Sequence, residues 1–95
     1  MTTPATPARY RTKPVVIEAM QTDGTLATAR LIEAFSEGKA FPSRYHNDRG
    51  TCWEMSVRTP EGHMNASEGD WVIRGVKGEF YPRKPDIFDA TYEAV

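Results

Sequence analysis

Two periods of apolar residues run along this chain, and each change of period marks an element. After Pro14 comes a short, largely β-branched run, Val15-Val16-Ile17-Glu18-Ala19-Met20. It predicts a first strand with Val15, Ile17 and Ala19 on one face and Val16, Glu18 and Met20 on the other. Thr22-Asp23-Gly24-Thr25 then supplies helix N-caps, and the period lengthens to about 3.6 residues. Ala27, Leu31, Ala34 and Phe35 fall on one side with Ile32 at its edge. Arg30, Glu33, Ser36 and Glu37 fall on the other, and Gly38 stands where a C-terminal cap belongs. A helix of about three turns lying on a sheet is expected.

Residues 39–50 carry no usable period and read as a long loop. From Cys52 the period is two: Trp53, Met55 and Val57 alternate with Glu54, Ser56 and Arg58, as in a half-buried strand. Thr59-Pro60-Glu61-Gly62 has turn chemistry, so residues 63–67 are expected to return as a hairpin partner. Further strands follow at residues 71–76 and 79–81, separated by Lys77-Gly78. Pro82 and Pro85 bar a continued central strand, and Asp86-Ile87-Phe88-Asp89 opens a short terminal helical turn, with Ile87, Phe88 and Tyr92 folded back on the core. The fold class expected is α+β: a small antiparallel β-meander of about four to five strands with one amphipathic helix packed on it. A Thr-, Pro- and Ala-rich start predicts a flexible arm over residues 1–9, ahead of a single domain over residues 10–95.

Composition narrows the function classes. Twelve basic and thirteen acidic residues give a formal net charge of −1, which argues against a tight nucleic-acid binder. The charge is uneven: Arg9, Arg11 and Lys13 stand near the start without an acid, and Asp86, Asp89 and Glu93 near the end without a base. One cysteine, Cys52, excludes an internal disulfide and suits a reducing cytoplasm. No apolar run approaches the roughly eighteen residues of a membrane span, so neither a membrane nor a secretory role is expected.

Candidate chemistry is sparse. Arg74, Lys77, Tyr81, Arg83 and Lys84 combine cations, an aromatic ring and nearby glycines, a mixture able to hold a small anionic ligand by charge and stacking. A solvated strand face is the simpler account of the same residues. The stretch Gly75-Val76-Lys77-Gly78 lacks the spacing of a phosphate loop. His46, His63, Cys52, Asp48 and Asp70 are the only metal-ligand material, and none has the spacing of a zinc site. No metal, cofactor or catalytic residue is expected. Trp53 and Trp71 are expected as core anchors. Arg44, Tyr45, His46 and Arg49, in the patternless segment, have the arginine-and-aromatic mixture of protein-binding hot spots.

Both ends of the chain carry a resemblance. Tyr10-Arg11-x-Lys13-Pro14-Val15-Val16-Ile17-Glu18-Ala19 is joined by Gly69-Asp70-Trp71 and by Gly75-Val76-Lys77-Gly78-Glu79-Phe80-Tyr81-Pro82-x-Lys84-Pro85-Asp86-Ile87-Phe88-x-x-Thr91-Tyr92-Glu93. Together they resemble a family of small bacteriophage and prophage proteins with no assigned reaction. Where that family often has cysteine between the Tyr-Pro and Lys-Pro pairs, this chain has Arg83, which argues against metal or redox chemistry there. The resemblance implies an accessory protein acting in the cytoplasm of an infected bacterial cell. The expectation is a non-catalytic protein that binds a host protein or sequesters a small anionic ligand, with a counter-defence role. Open sheet edges would also allow a homo-oligomer. The alternative is a weak nucleic-acid binder using the basic arm and residues 74–84.

Overall fold

The computed structural model describes residues 7–9, 15–46 and 52–95. Its elements are β1 (Glu18–Gln21), α1 (Leu26–Phe35), β2 (Ala40–His46), β3 (Cys52–Thr59), β4 (Gly62–Ala66), β5 (Trp71–Arg74), β6 (Phe80–Arg83) and α2 (Pro85–Thr91). The class is α+β. The strands form two antiparallel three-stranded sheets, ordered β1-β5-β6 and β2-β3-β4. The first strand pairs with β5, more than fifty residues along the chain, with Ala19 opposite Ile73 and Met20 opposite Val72.

One core lies between the sheets and is closed by the first helix. It joins Ala29 and Ile32 of α1, Ala40, Met55, Val57 and Ala66 of the second sheet, and Val72 and Phe80 of the first. Met20 and Phe35 pack against its margin. A second apolar contact lies on the far face of the first sheet. There α2 sets Phe88 flat on Trp71, with ring centroids 4.1 Å apart and planes 7° apart, and Tyr92 follows at 5.1 Å from Phe88. Ile73, on that same face, has no exposed surface. Covering both faces of the sheet explains why Trp71-Val72-Ile73 is continuously apolar rather than alternating.

Several local expectations need correction. Residues 40–46, read as loop, form β2. A bulge between Pro42 and Arg44 breaks the alternation, so that Ala40 and Pro42 but then Tyr45 share a face with the core-facing residues of β3. Pro42 is tolerated because β2 is an edge strand. The first helix is rotated from the expected face: Ala29, Ile32 and Ser36 are buried, whereas Leu31 is 60 % exposed. Ser36 is held there because its hydroxyl accepts from the Ala40 amide at 2.8 Å and donates to the Glu33 carbonyl at 3.2 Å. A small polar residue thus joins helix to strand on the buried side, and the turn after it passes through Glu37 and Gly38, both with positive φ. Trp53 and Trp71 are half-buried and lie outside the main core. Ile87 is exposed, although Phe88 and Tyr92 do fold back.

Candidate functional site

The cationic stretch of the last third is divided by the pleat of its own sheet. In the β5–β6 register Arg74 lies opposite Phe80, while Tyr81 lies opposite Ile73 and Arg83 opposite Trp71. Side chains alternate across a strand, so Arg74 emerges on the core face and Tyr81 and Arg83 on the α2 face. Arg74 is fully engaged. Its guanidinium donates to Glu18 Oε1 and to the Phe35 carbonyl, both at 2.7 Å, and lies 4.6 Å from the Phe35 ring centroid and 5.4 Å from that of Phe80. It therefore satisfies a carbonyl at the end of α1 and ties that helix to β1 and β5.

Lys84 is engaged as well. Its ammonium donates to Asp70 Oδ2 at 3.0 Å, and the Ser67 amide donates to the same oxygen at 2.9 Å. Around this carboxylate the end of β1 is clasped: the Thr22 amide donates to the Asp70 carbonyl, and the Gly69 amide to the Thr22 carbonyl. The Thr22 hydroxyl donates to the Ser67 carbonyl at 2.6 Å. Gly69 reaches this turn with φ +91°, a conformation that favours glycine. Gly-Asp-Trp is thus a three-way junction among β1, the β4–β5 turn and β6. It could have been suspected from a lone Asp beside Gly before a strand, which is turn chemistry as much as ligand chemistry.

Lys77 stands exposed on the β5–β6 hairpin, where its amide donates to Glu79 Oε2 at 3.0 Å. The Glu79 side chain lies where a Cβ on Gly75 would project. The Gly78 amide donates to the Gly75 carbonyl at 3.0 Å with φ +81° at Gly78, closing a tight hairpin.

Tyr81 and Arg83 are the pair that the fold does bring together. The guanidinium lies 5.0 Å from the ring centroid. Burial, then a hydrogen bond with Tyr92, raises the Tyr81 phenol above its ordinary pKa of 10.0. The cleft of about 280 Å³ beside them is also lined by Glu61, Glu79 and Met64. Two carboxylates against one guanidinium make it a poor seat for an anion. A neighbouring cleft of about 190 Å³ holds Lys84 with its partner Asp70.

The second candidate group sits at the far end of β2. Arg44 is exposed and lies opposite Glu54; Tyr45 lies opposite Trp53, with ring centroids 5.1 Å apart in an edge-on arrangement. His46 closes the strand. Arg49 lies outside the described residues. Trp53 is fixed in turn by its amide, which donates to the Gly24 carbonyl at 2.8 Å. On the outer face of the same sheet, Ser56 Oγ and His63 Nδ1 are 3.1 Å apart, with Phe41 edge-on to the imidazole. Sequence patterning missed this pair because it arises only from the β3–β4 register. Among the described residues no group of three or more histidine, cysteine, aspartate or glutamate side chains is placed to hold a metal ion. No helix among them is long and apolar enough to cross a membrane.

Comparison with protein-family models, curated proteins and solved structures finds no match to this chain.

Proposed function

We propose that this chain is a non-catalytic accessory protein of the bacteriophage type, acting in the cytoplasm of the infected cell by binding a host protein. The observation that carries this reading is the division of its cations and aromatics between two environments. Arg74 and Lys84 are spent on internal contacts, whereas Arg44 and Tyr45 stand exposed at the end of an edge strand, beside the large ring of Trp53. Tyr45 and Trp53 form an aromatic pair on one face of the β2–β3 ladder, and Arg44 stands on the other face of the same edge strand, a mixture of residue types found in protein-binding hot spots. Sequestration of a small anion gains less support, since Arg83 shares its cleft with Glu61 and Glu79.

The test is affinity purification from bacterial lysate, paired with native mass spectrometry of the recombinant protein. A single host protein should be retained by the wild type and by Arg83→Glu, and lost from the Arg44→Ala/Tyr45→Ala double variant. A bound small molecule released by Arg83→Glu, with no host protein retained, would replace this reading with sequestration. A stable oligomer in the same spectra would make the edge strands a self-contact.

A further inference from the structure

A second surface lies at the edge of the first sheet, in the sheet that does not contain β2. Among the described residues, β1 pairs with β5 along one edge and with no strand along the other. The Thr22 amide donates to the Asp70 carbonyl, so Thr22 turns its backbone groups toward β5. Such groups alternate along an antiparallel strand: Met20 and Glu18 turn theirs the same way, and Ala19 and Gln21 turn theirs to the open edge. Ahead of β1, Val15, Val16 and Ile17 lie outside any strand, with Val15 50 % and Val16 76 % exposed. Beside them is a cavity of about 220 Å³, bounded by residues 15–17 and Ala19 on one side and by Trp71, Phe88 and Tyr92 on the other. We propose that two copies of the chain join here, residues 15–19 of each pairing antiparallel about a two-fold axis at Ile17.

Two of the other edge strands carry devices that discourage pairing: Pro42 and a bulge in β2, and Pro82 in β6. Residues 15–21 contain no proline, and β1 keeps an unbroken register with β5. Their one charged side chain, Glu18, is paired with Arg74 at 2.7 Å, so two copies meet without an uncompensated charge between their edges. A second copy is singled out because this patch holds both a projection and a hollow. Pairing about Ile17 sets Val15 of each copy opposite Ala19 of the other. Ala19 faces the α2 side of the sheet, opposite Ile73, and its single methyl leaves the cavity open. Each copy's Val15 therefore enters the other's cavity, the reciprocal fit that a two-fold contact requires. Residues 15–19 make a strip about 17 Å long and about 10 Å thick. That stays well below the roughly 800 Å² per partner of a standard interface, so the dimer is weak and reversible. The β2 end, in the other sheet, takes no part in it, so this inference stands apart from the host-binding reading.

The test is sedimentation velocity of the full chain from about 1 μM to about 1 mM, with amide NMR at both ends of that range. Val15→Lys puts a charge into the apolar contact. Met64→Lys makes the same charge change on β4, at a position 45 % exposed. Both are surface positions, so unfolding midpoints of the dilute variants should match the parent. The expected result is a reversible monomer–dimer equilibrium, with amide shifts centred on residues 15–21 and the Ala19 amide protected from hydrogen exchange only at high concentration. Val15→Lys should raise the dissociation constant at least about tenfold, and Met64→Lys should leave it within about twofold. A chain that stays monomeric throughout, growth beyond a dimer, shifts centred on β2 or β4, or equal effects of the two variants would overturn the proposal. Shifts at β1 that arise in the monomer only on adding the retained host protein would also overturn it, giving the edge to that partner.

Discussion

The two sheets are built from strands of the same chain yet live in different surroundings. The β1-β5-β6 sheet is covered on both faces, by the main core on one side and by Phe88 of α2 and the Tyr92 that follows it on the other. The β2-β3-β4 sheet is covered on one face only, and its outer face leaves Arg58, His63 and Asn65 exposed. Where a charged side chain at the doubly covered sheet is enclosed, as Asp70 is and Arg74 is in part, it needs a partner, because a desolvated charge is costly unless paired. Arg74 and Asp70 are accordingly tied by several contacts each. On the singly covered sheet Arg44 and Arg58 are exposed to water. Part of the charge in the last third of the chain, at Asp70, Arg74 and Lys84, is thereby committed to internal contacts.

The comparison can be broken most forcefully at the two apolar layers. Met55 belongs to the core between the sheets, and Ile73 to the layer under α2; both are fully buried. Replacing either by alanine should cost about 2–5 kcal/mol, read as a shift in urea midpoint. A much smaller loss for Ile73→Ala would mean that α2 does not cover the sheet in solution.

Next in size is the Asp70–Lys84 pair, whose members are unequally placed. The Asp70 side chain is 4 % exposed and that of Lys84 60 %. Asp70→Ala leaves the Ser67 amide without its acceptor and should cost roughly 1–3 kcal/mol, whereas Lys84→Ala should cost about 1 kcal/mol or less. Equal losses would place the stabilisation in the ion pair rather than in the turn.

The start of α1 offers a smaller effect with a pH signature. The Thr25 hydroxyl accepts from the Thr28 amide at 3.2 Å, so Thr25→Ala should cost about 1 kcal/mol. The Thr25 hydroxyl and amide, then the Thr28 hydroxyl, donate to Asp23 and hold its carboxyl below the ordinary aspartate value. The folded chain thus favours the carboxylate. Its contribution is complete above the ordinary aspartate pKa and is lost as pH falls through the lower folded value. Urea midpoints followed from neutral pH into the acid range should fall less steeply in Asp23→Asn than in the parent.

The smallest effect expected is at Leu31. Leu31→Lys should change stability by no more than about 0.5 kcal/mol, while Ile32→Ala should match the core variants. A costly Leu31→Lys would restore the helix face that apolar spacing alone suggests.

Much of this architecture is legible in the residues. The strict alternation of Trp53, Met55 and Val57 and the turn at Pro60-Glu61 each correspond to an observed strand or hairpin, whereas the β-branched run Val15-Val16-Ile17 lies ahead of β1, which begins only at Glu18. Three features are hidden for physical reasons. The second strand is masked by a bulge and a proline, which an edge strand tolerates and a period count does not. The buried face of α1 is masked because Ser36, a polar residue, is held inside by the Ala40 amide while Leu31 is left in solvent. The partition of the two sheets is masked because β1 pairs with β5 across most of the chain. As for the candidate sites, the sequence reveals which residues carry charge and rings. The pleat of β5 and β6 separates Arg74 from Tyr81 and Arg83, and only strand register carries that information.

The central claim, that the last third of the chain is scaffold rather than ligand site, turns on Arg74. The direct measurement is urea unfolding of Arg74→Met beside Arg83→Met, under one buffer and one temperature. Arg74→Met should lose about 1–3 kcal/mol, because a carbonyl at the end of α1 and two aromatic rings lose their cation. Arg83→Met should stay within about 0.5 kcal/mol of the parent. If Arg74→Met proved as stable as the parent, the guanidinium would not be holding the fold together, and its claim as a binding residue would reopen.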